Sequence, residues 1–205
     1  SELEQIEPKD ENKCKAASVW KDSKETVARL TERYSLPVVV KETLPVKAII
    51  DTPAGEKVLD FGQNFTGYVA FKSKLPAKAK VTLDFGEILQ NGNFYNDNYR
   101  TAKAQFTYLS NGSQEDVRPH FTYFGFRYVR VTGWEGELHA EDFTGCVVYS
   151  DLESTVSLNT SDAGLNRLAA NCIWGQKSNF LDMPTDCPQR DERLGWTGDA
   201  QVFAP

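Results

Sequence analysis

The chain has little of what metal and redox chemistry requires. It holds four cysteines and two histidines in 205 residues, and Cys14, Cys146, Cys172 and Cys187 lie far apart with no C-x-x-C pair. A structural zinc site needs four such ligands in closely spaced pairs, so no metal and no cofactor is expected, and the thiols are expected to be free and buried. No apolar run approaches the roughly 18–20 residues of a membrane helix. Positive charge is also short: 23 basic residues against 29 acidic ones give a formal net charge of −6. Nucleic acid and anionic membranes reward clustered Lys and Arg, so neither is expected as a partner. The start, Ser-Glu-Leu-Glu-Gln, has neither an initiator Met nor a charged-then-apolar leader. The other end stops within an amphipathic segment. The chain is therefore expected to be a fragment of a longer one.

Aromatics, by contrast, are plentiful, with 12 Phe, 8 Tyr and 4 Trp, and their spread over short runs leans toward sheet. Val81-Thr82-Leu83-Asp84-Phe85 alternates with Val81, Leu83 and Phe85 on one face, and 104–108 repeats the pattern. Further strands are expected at 37–41, 46–51, 56–61, 67–73, 118–124, 126–132 and 145–150. Asn91-Gly92 and Asn111-Gly112 are tight-turn dipeptides that tolerate positive φ. Many short strands with no helical stretch between them predict a mainly β fold, an antiparallel β-sandwich over 36–158. Residues 1–35 are charged and weakly periodic, and are expected to be a tail or interdomain linker. At Asn159 the apolar period changes from two to about 3.6. A helix is predicted over 162–180, with Ser161 as N-cap, Asp162 favoured by the helix dipole, and Leu165, Leu168, Ala169, Cys172 and Ile173 on one face. Pro184 and Pro188 make 182–189 an extended loop, and a second helix is expected to open near Thr197.

Chemistry concentrates in 184–199. Four carboxylates (Asp186, Asp191, Glu192, Asp199), two arginines and Trp196 share this stretch with restrictive prolines and glycines. Carboxylates and guanidinium groups bond ring hydroxyls in fixed directions, and an aromatic face covers the apolar side of a sugar. Glycoside hydrolysis also needs a protonated carboxylic acid at the leaving oxygen. Arg-Asp-Glu-Arg alone is equally a solvated charge run; the flanking prolines and Trp196 favour a polar-ligand loop. Other candidates are weaker. Tyr95-Asn96-Asp97-Asn98-Tyr99-Arg100 is an aromatic polar loop that could touch a sugar. Asp60 is expected to brace the turn at Gly62. Glu87, His120 and His139 read as ordinary surface or strand residues, and three Asn-X-Ser/Thr triplets are chance-level glycosylation motifs.

The string Asp186-Cys187-Pro188-Gln189-Arg190-Asp191-Glu192-Arg193-Leu194-Gly195-Trp196-Thr197-Gly198-Asp199 resembles the signature of glycoside hydrolase family 78, the bacterial α-L-rhamnosidases. Asp60-Phe61-Gly62-Gln63-Asn64, Gly67-Tyr68-Val69 and Phe121-Thr122-Tyr123-Phe124-Gly125-Phe126-Arg127-Tyr128-Val129 are similar to the β-sandwich that precedes the catalytic domain in that family. The resemblance covers about 40–205. It implies a jelly-roll-like sandwich followed at 159–205 by the first helices of a truncated (α/α)6 barrel. It implies an inverting enzyme that hydrolyses terminal α-L-rhamnosyl residues of glycans or glycosides. Glu192 matches the general acid; Asp186, Arg190, Trp196 and Asp199 match the rhamnose subsite; the general base would lie beyond Pro205. The implied partners are a rhamnosyl glycoside and the rest of the parent chain. Polysaccharide substrates favour a secreted or periplasmic setting over a cytoplasmic one. The rival reading, from a different class, is a non-catalytic carbohydrate-binding or structural β-sandwich; sequence past Pro205 with helix pairs and a further Glu would discriminate the two.

Overall fold

The computed structural model describes residues 31–155, 157–191 and 195–203. Residues 35–205 form one unit, and the account below concerns that unit. Twelve strands and two α-helices are assigned among the described residues. Eight of the strands make one antiparallel sheet: β1 (Val38–Pro45), β2 (Ala48–Asp51), β3 (Lys57–Ser73), β4 (Lys80–Gly86), β7 (Gln105–Leu109), β8 (Glu115–Val117), β9 (Phe124–Thr132) and β10 (Phe143–Ser150). Its main path runs β1-β10-β3-β9-β4-β7, with β2 and β8 also pairing to β3.

The expected sandwich arises because this single sheet curls. β10 and β7 stand near opposite ends of the strand order, yet Val147 and Tyr149 of one share a core with Phe106 of the other. The seventeen-residue β3 makes the bend. Its first half pairs with β2, its second with β10 and β8, and β9 follows both halves across a register shift between Asp60 and Phe65. Strands that change partners through such irregularities turn the corners of curled sheets. At the shift, Gly62 takes φ +75°, and its amide donates to the Asp60 carboxylate at 2.7 Å. Asp60 also accepts from Arg127 Nε and Nη2 at 2.8 and 2.9 Å, so it braces the turn as expected.

The alternation read in β4 is observed: Val81, Leu83 and Phe85 are buried. Phe61, Phe65, Phe85 and Phe126 join them in an aromatic cluster with ring centroids 4.5–5.8 Å apart. Such edge and tilted contacts add to the area that the rings bury. Asn91 and Gly92 both take positive φ, which closes the short hairpin of β5 (Ile88–Gln90) and β6 (Asn93–Tyr95) as that dipeptide predicts.

Several boundaries differ from expectation. Residues 118–123 are not strand, although a strand was expected at 118–124; Pro119 has no N–H for a ladder, and Phe121 takes φ +56°. The runs at 56–61 and 67–73 are one strand. The helix α1 (Ala163–Asn179) is capped by Asp162 rather than Ser161: the Asp162 carboxylate accepts from the amides of Gly164 at 2.7 Å and Leu165 at 3.0 Å. A carboxylate combines the capping acceptor with the charge that the helix N-terminus favours. α1 ends one residue early, since Phe180 enters a two-residue hairpin, β11 (Phe180–Leu181) with β12 (Met183–Pro184), turned by Asp182 at φ +72°. The start of the expected extended loop is therefore a tight turn. The apolar face read for α1 is exposed at Leu165, Leu168, Cys172 and Ile173. The helix contacts the sheet through other residues: Trp174 packs against the core, and Lys177 lies 4.7 Å from the Trp174 ring centroid and pairs with Glu42 at 2.5 Å. Of the thiols, Cys146 is buried, but Cys172 is exposed and Cys187 half-buried, which corrects the expectation of buried cysteines; Cys14 lies outside the described residues.

Candidate functional site

The signature segment and the stretch leading into it are tied to the β domain at four points. Thr66 Oγ1 of β3 donates to the carbonyl of Ser178, at the end of α1, at 3.0 Å. Ser150 Oγ of β10 accepts from the Asp182 amide at 2.8 Å. Leu181 is buried with Tyr68, Cys146 and Val148 on the outer side of the sheet. The fourth point, on the segment itself, is backbone against backbone: a Cβ placed on Gly125 of β9 would lie 2.9 Å from Gln189 N and 3.0 Å from the Pro188 carbonyl carbon. Within the segment, the Thr185 amide donates to Asn179 O at 2.7 Å, and the Trp196 amide to Pro184 O at 2.9 Å. The chain thus comes back on itself between Pro184 and Trp196.

Between this segment and the β domain lies a cleft of about 450 Å³. Ala102, Lys103, Ala104, Tyr123 and Phe124 form one wall, and residues 181–183, 185 and 187–191 the other. Tyr123 is partly exposed there, and burial raises its phenol above the ordinary range. Arg190 Nη2 stands 3.7 Å from Asp186 Oδ2, an ion pair longer than a hydrogen bond, which sets the two groups side by side and adds little stability. Cys187 Sγ lies 3.5 Å from the same oxygen. Burial and the Asp186 hydrogen bond push the Cys187 thiol up, against the smaller opposing effect of Arg190. A raised thiol pKa disfavours the thiolate, the nucleophilic form.

The expected site residues are therefore distributed as follows. Asp186 and Arg190 are brought together. Trp196 is about half exposed, and its backbone is held to Pro184. Asp199 is exposed just before α2 (Ala200–Phe203), where its carbonyl accepts from the Val202 amide; Thr197 O accepts from Gln201, so this short helix opens close to where it was expected. Glu192, the expected acid, lies outside the described residues. Asp191 forms part of the cleft wall. The loop at 95–100 differs from its reading: Tyr99 is 1% exposed and its hydroxyl donates to Gly125 O at 2.6 Å, so it faces the protein and not a ligand. Lys103, Tyr123 and Gly125 were missed. An isolated glycine between Phe124 and Phe126 was the available signal, because glycine inside a strand marks a close backbone approach. No group of three or more His, Cys, Asp or Glu able to hold a metal occurs among the described residues. No helix there is long and apolar enough to cross a membrane.

The structure thus sets a loop of paired carboxylate and guanidinium groups beside a cleft that Tyr123 and Phe124 help to wall. Comparison with known proteins gives the family. The bacterial alpha-L-rhamnosidase concanavalin-like domain matches residues 50–149, and the bacterial alpha-L-rhamnosidase 6 hairpin glycosidase domain matches residues 153–205. The chain belongs to the bacterial α-L-rhamnosidase family. It is 43% identical over 171 residues to an α-L-rhamnosidase of Streptomyces avermitilis, an alignment that covers 82% of this chain and 17% of that protein. It is 39% identical over 182 residues to one from Formosa agariphila, covering 86% of this chain and 19% of the relative. The crystal structure of the Streptomyces avermitilis enzyme complexed with L-rhamnose superposes with a TM-score of 0.79 at 41% identity, over 83% of this chain and 17% of that one. The chain thus spans about a fifth of the length of the relatives it matches.

Proposed function

We propose that the chain is part of an inverting α-L-rhamnosidase that removes terminal α-L-rhamnosyl residues from glycans or glycosides. The observation that carries this reading is the tandem match of two rhamnosidase domains, with the signature loop at 184–199 falling inside the second. In this reading the β domain ends at 158, residues 159–205 begin an (α/α)6 barrel, and residues 1–35 link to what precedes them. Glu192 donates a proton to the departing glycosidic oxygen. Asp186 and Arg190, adjacent in the fold, bond the sugar hydroxyls; Trp196 covers the apolar face of the ring; Asp199 completes the subsite. Inversion requires a second carboxylate roughly 6.5–9.5 Å from the acid, with a water between it and the anomeric carbon. That base is supplied by a part of the parent outside these 205 residues.

The test uses the complete enzyme and a series of aryl α-L-rhamnosides. Glu192→Gln should lower turnover by roughly 10²–10⁴ while leaving rhamnose binding nearly intact, because the amide keeps the side chain's size but has no proton to transfer to the leaving oxygen. The loss should shrink for acidic phenols, which depart without protonation, and be greatest for natural glycosides. Asp191→Asn is the control and should show no leaving-group dependence. If that dependence appears for Asp191 alone, the acid is misassigned by one position. Absence of rhamnosidase turnover in the intact enzyme would leave the structural-module reading standing.

A further inference from the structure

We propose that Tyr99 and Gly125 of the β domain are positioning residues for the signature loop, so that this domain sets the geometry of a site to which it contributes no acid or base. β4 pairs with β9 from Tyr128 to Thr132 and ends at Gly86. Over Phe124–Phe126, β9 is laddered to β3 alone. There the Tyr99 hydroxyl, supplied by the 3₁₀ turn Asp97–Tyr99, donates to the Gly125 carbonyl at 2.6 Å. Tyr99 is 1% exposed, and burial together with the Glu87 charge pushes its phenol far above the ordinary range. The phenol therefore stays protonated, and able to donate, at neutral pH.

The strand is immobilised on either side of this bond. Phe124 stacks on Phe85 at 4.1 Å, and Phe126 packs 4.5 Å from Phe65 and 4.7 Å from Phe85. On β3, the ladder partner of Gly125 is Thr66, whose hydroxyl holds the end of α1. Gly125 is thus a fixed point, and the backbone at Pro188 and Gln189 rests on it at a distance that no side chain permits. Asp186, Arg190 and Asp191 follow from that seat within three residues on each side. Gln189 Oε1 is buried without a hydrogen-bond partner in this structure, so the seat depends on backbone contact and shape rather than on a bond from that side chain. A catalytic group misplaced by about 1 Å can cost 10²-fold in rate, so loosening the seat is expected to lower turnover.

The experiment compares three variants of the complete enzyme. Tyr99→Phe removes the hydroxyl and keeps the ring. Gly125→Ala leaves the core and the Tyr99 bond in place but adds a methyl group against Gln189. Ser110→Ala is the control: it deletes a hydroxyl-to-carbonyl bond, Ser110 Oγ to Leu75 O at 2.9 Å, together with the bond that this hydroxyl accepts from the Gly112 amide at 3.1 Å, elsewhere in the β domain. Hydrogen exchange at the Thr185 and Trp196 amides reads the loop directly, and kcat and KM on an aryl α-L-rhamnoside read the site. Tyr99→Phe and Gly125→Ala should speed exchange at both amides and lower kcat by about 10- to 100-fold with KM within about twofold. Ser110→Ala should change neither. Exchange and kcat at the control's level in both loop variants would overturn the proposal, as would a control that matches them. The kcat arm rests on the rhamnosidase reading. The exchange arm does not, so an enzyme inactive on rhamnosides would refute that reading and still leave this one decidable.

Discussion

Replacing Asp60 separates shape from charge at the corner of the sheet. Its carboxylate accepts three bonds, two from Arg127 and one from the Gly62 amide at 2.7 Å, and only 14% of the Asp60 side chain is exposed against 37% for Arg127. Asp60→Asn keeps the size and the acceptor for Gly62 but loses the charge and one guanidinium bond. Charge-assisted bonds are worth about 1.5–3 kcal/mol net when buried. Arg127 can rehydrate, which discounts the loss to about 1 kcal/mol. Asp60→Ala also strips the Gly62 amide of its acceptor at a positive-φ turn, which brings the total to about 2 kcal/mol. The pH dependence follows from the carboxyl's environment. Burial raises its pKa, but the Arg127 bonds, the Gly62 amide and the Arg127 charge outweigh burial and leave it below the ordinary value. A depressed folded-state pKa gives stability that is present above the unfolded value, near 3.9, and lost as pH falls through the lower folded value. Urea midpoints of the 205-residue chain should therefore separate wild type from Asp60→Asn at pH 7, and the gap should close as pH falls below the ordinary carboxyl range and through the lowered folded value, where protonated Asp60 resembles the amide. A gap of equal size at both pH values would place the stabilisation in shape and refute the electrostatic argument. Equal loss for the Asn and Ala variants would refute the separate role of the turn bond.

Two further outcomes follow from the proposed function. In the complete enzyme, Trp196→Ala should weaken rhamnose binding by about 1–3 kcal/mol and mannose binding less, because the 6-deoxy sugar offers a methyl group to the indole; calorimetry showing equal losses would assign Trp196 to packing. On the rhamnosidase reading the activating base lies outside the 205-residue chain, which alone should turn over no detectable aryl rhamnoside; robust hydrolysis by a purified preparation would overturn the division of roles.

Local pattern foretold the elements whose environment is uniform along their length. β4 alternates because it lies wholly within the sheet with one face on the core, and the β5–β6 hairpin follows from Asn91-Gly92, where both residues must take positive φ. β3 was not legible as one strand. Gly62-Gln63-Asn64 has turn composition, and only the partners on either side, β2 before and β10 after, reveal that the chain passes through a bulge and continues. The sheet itself hides its curl for the same reason: two faces of one sheet and two separate sheets produce the same short strands. α1 is the converse case. Its strongest apolar stripe, Leu165, Leu168 and Ile173, is exposed, while the weaker face with Trp174 and Lys177 meets the sheet. Periodicity identifies a helix and the presence of an apolar stripe, but not which of two faces this part of the fold covers.

The candidate site divides along a similar line. Its polar half is contiguous in sequence, so carboxylates, arginines and Trp196 between restrictive prolines could be read directly as a ligand loop. Its other half comes from residues roughly 60–90 positions earlier that carry no chemical signature: Ala102 and Ala104 leave space, Phe124 is fixed by Phe85, and Gly125 is notable for lacking a side chain. Their contribution lies in where they hold the loop, a property of tertiary contact that residue type alone does not encode. Tyr99 shows how this misleads. A tyrosine in an Asn- and Asp-rich loop has the composition of a sugar contact, yet its hydroxyl is directed inward, to the Gly125 carbonyl in the part of β9 beyond its pairing with β4. An aromatic hydroxyl beside an unfinished ladder should therefore be weighed first as a structural donor, and as a ligand contact only where the ladder is already complete.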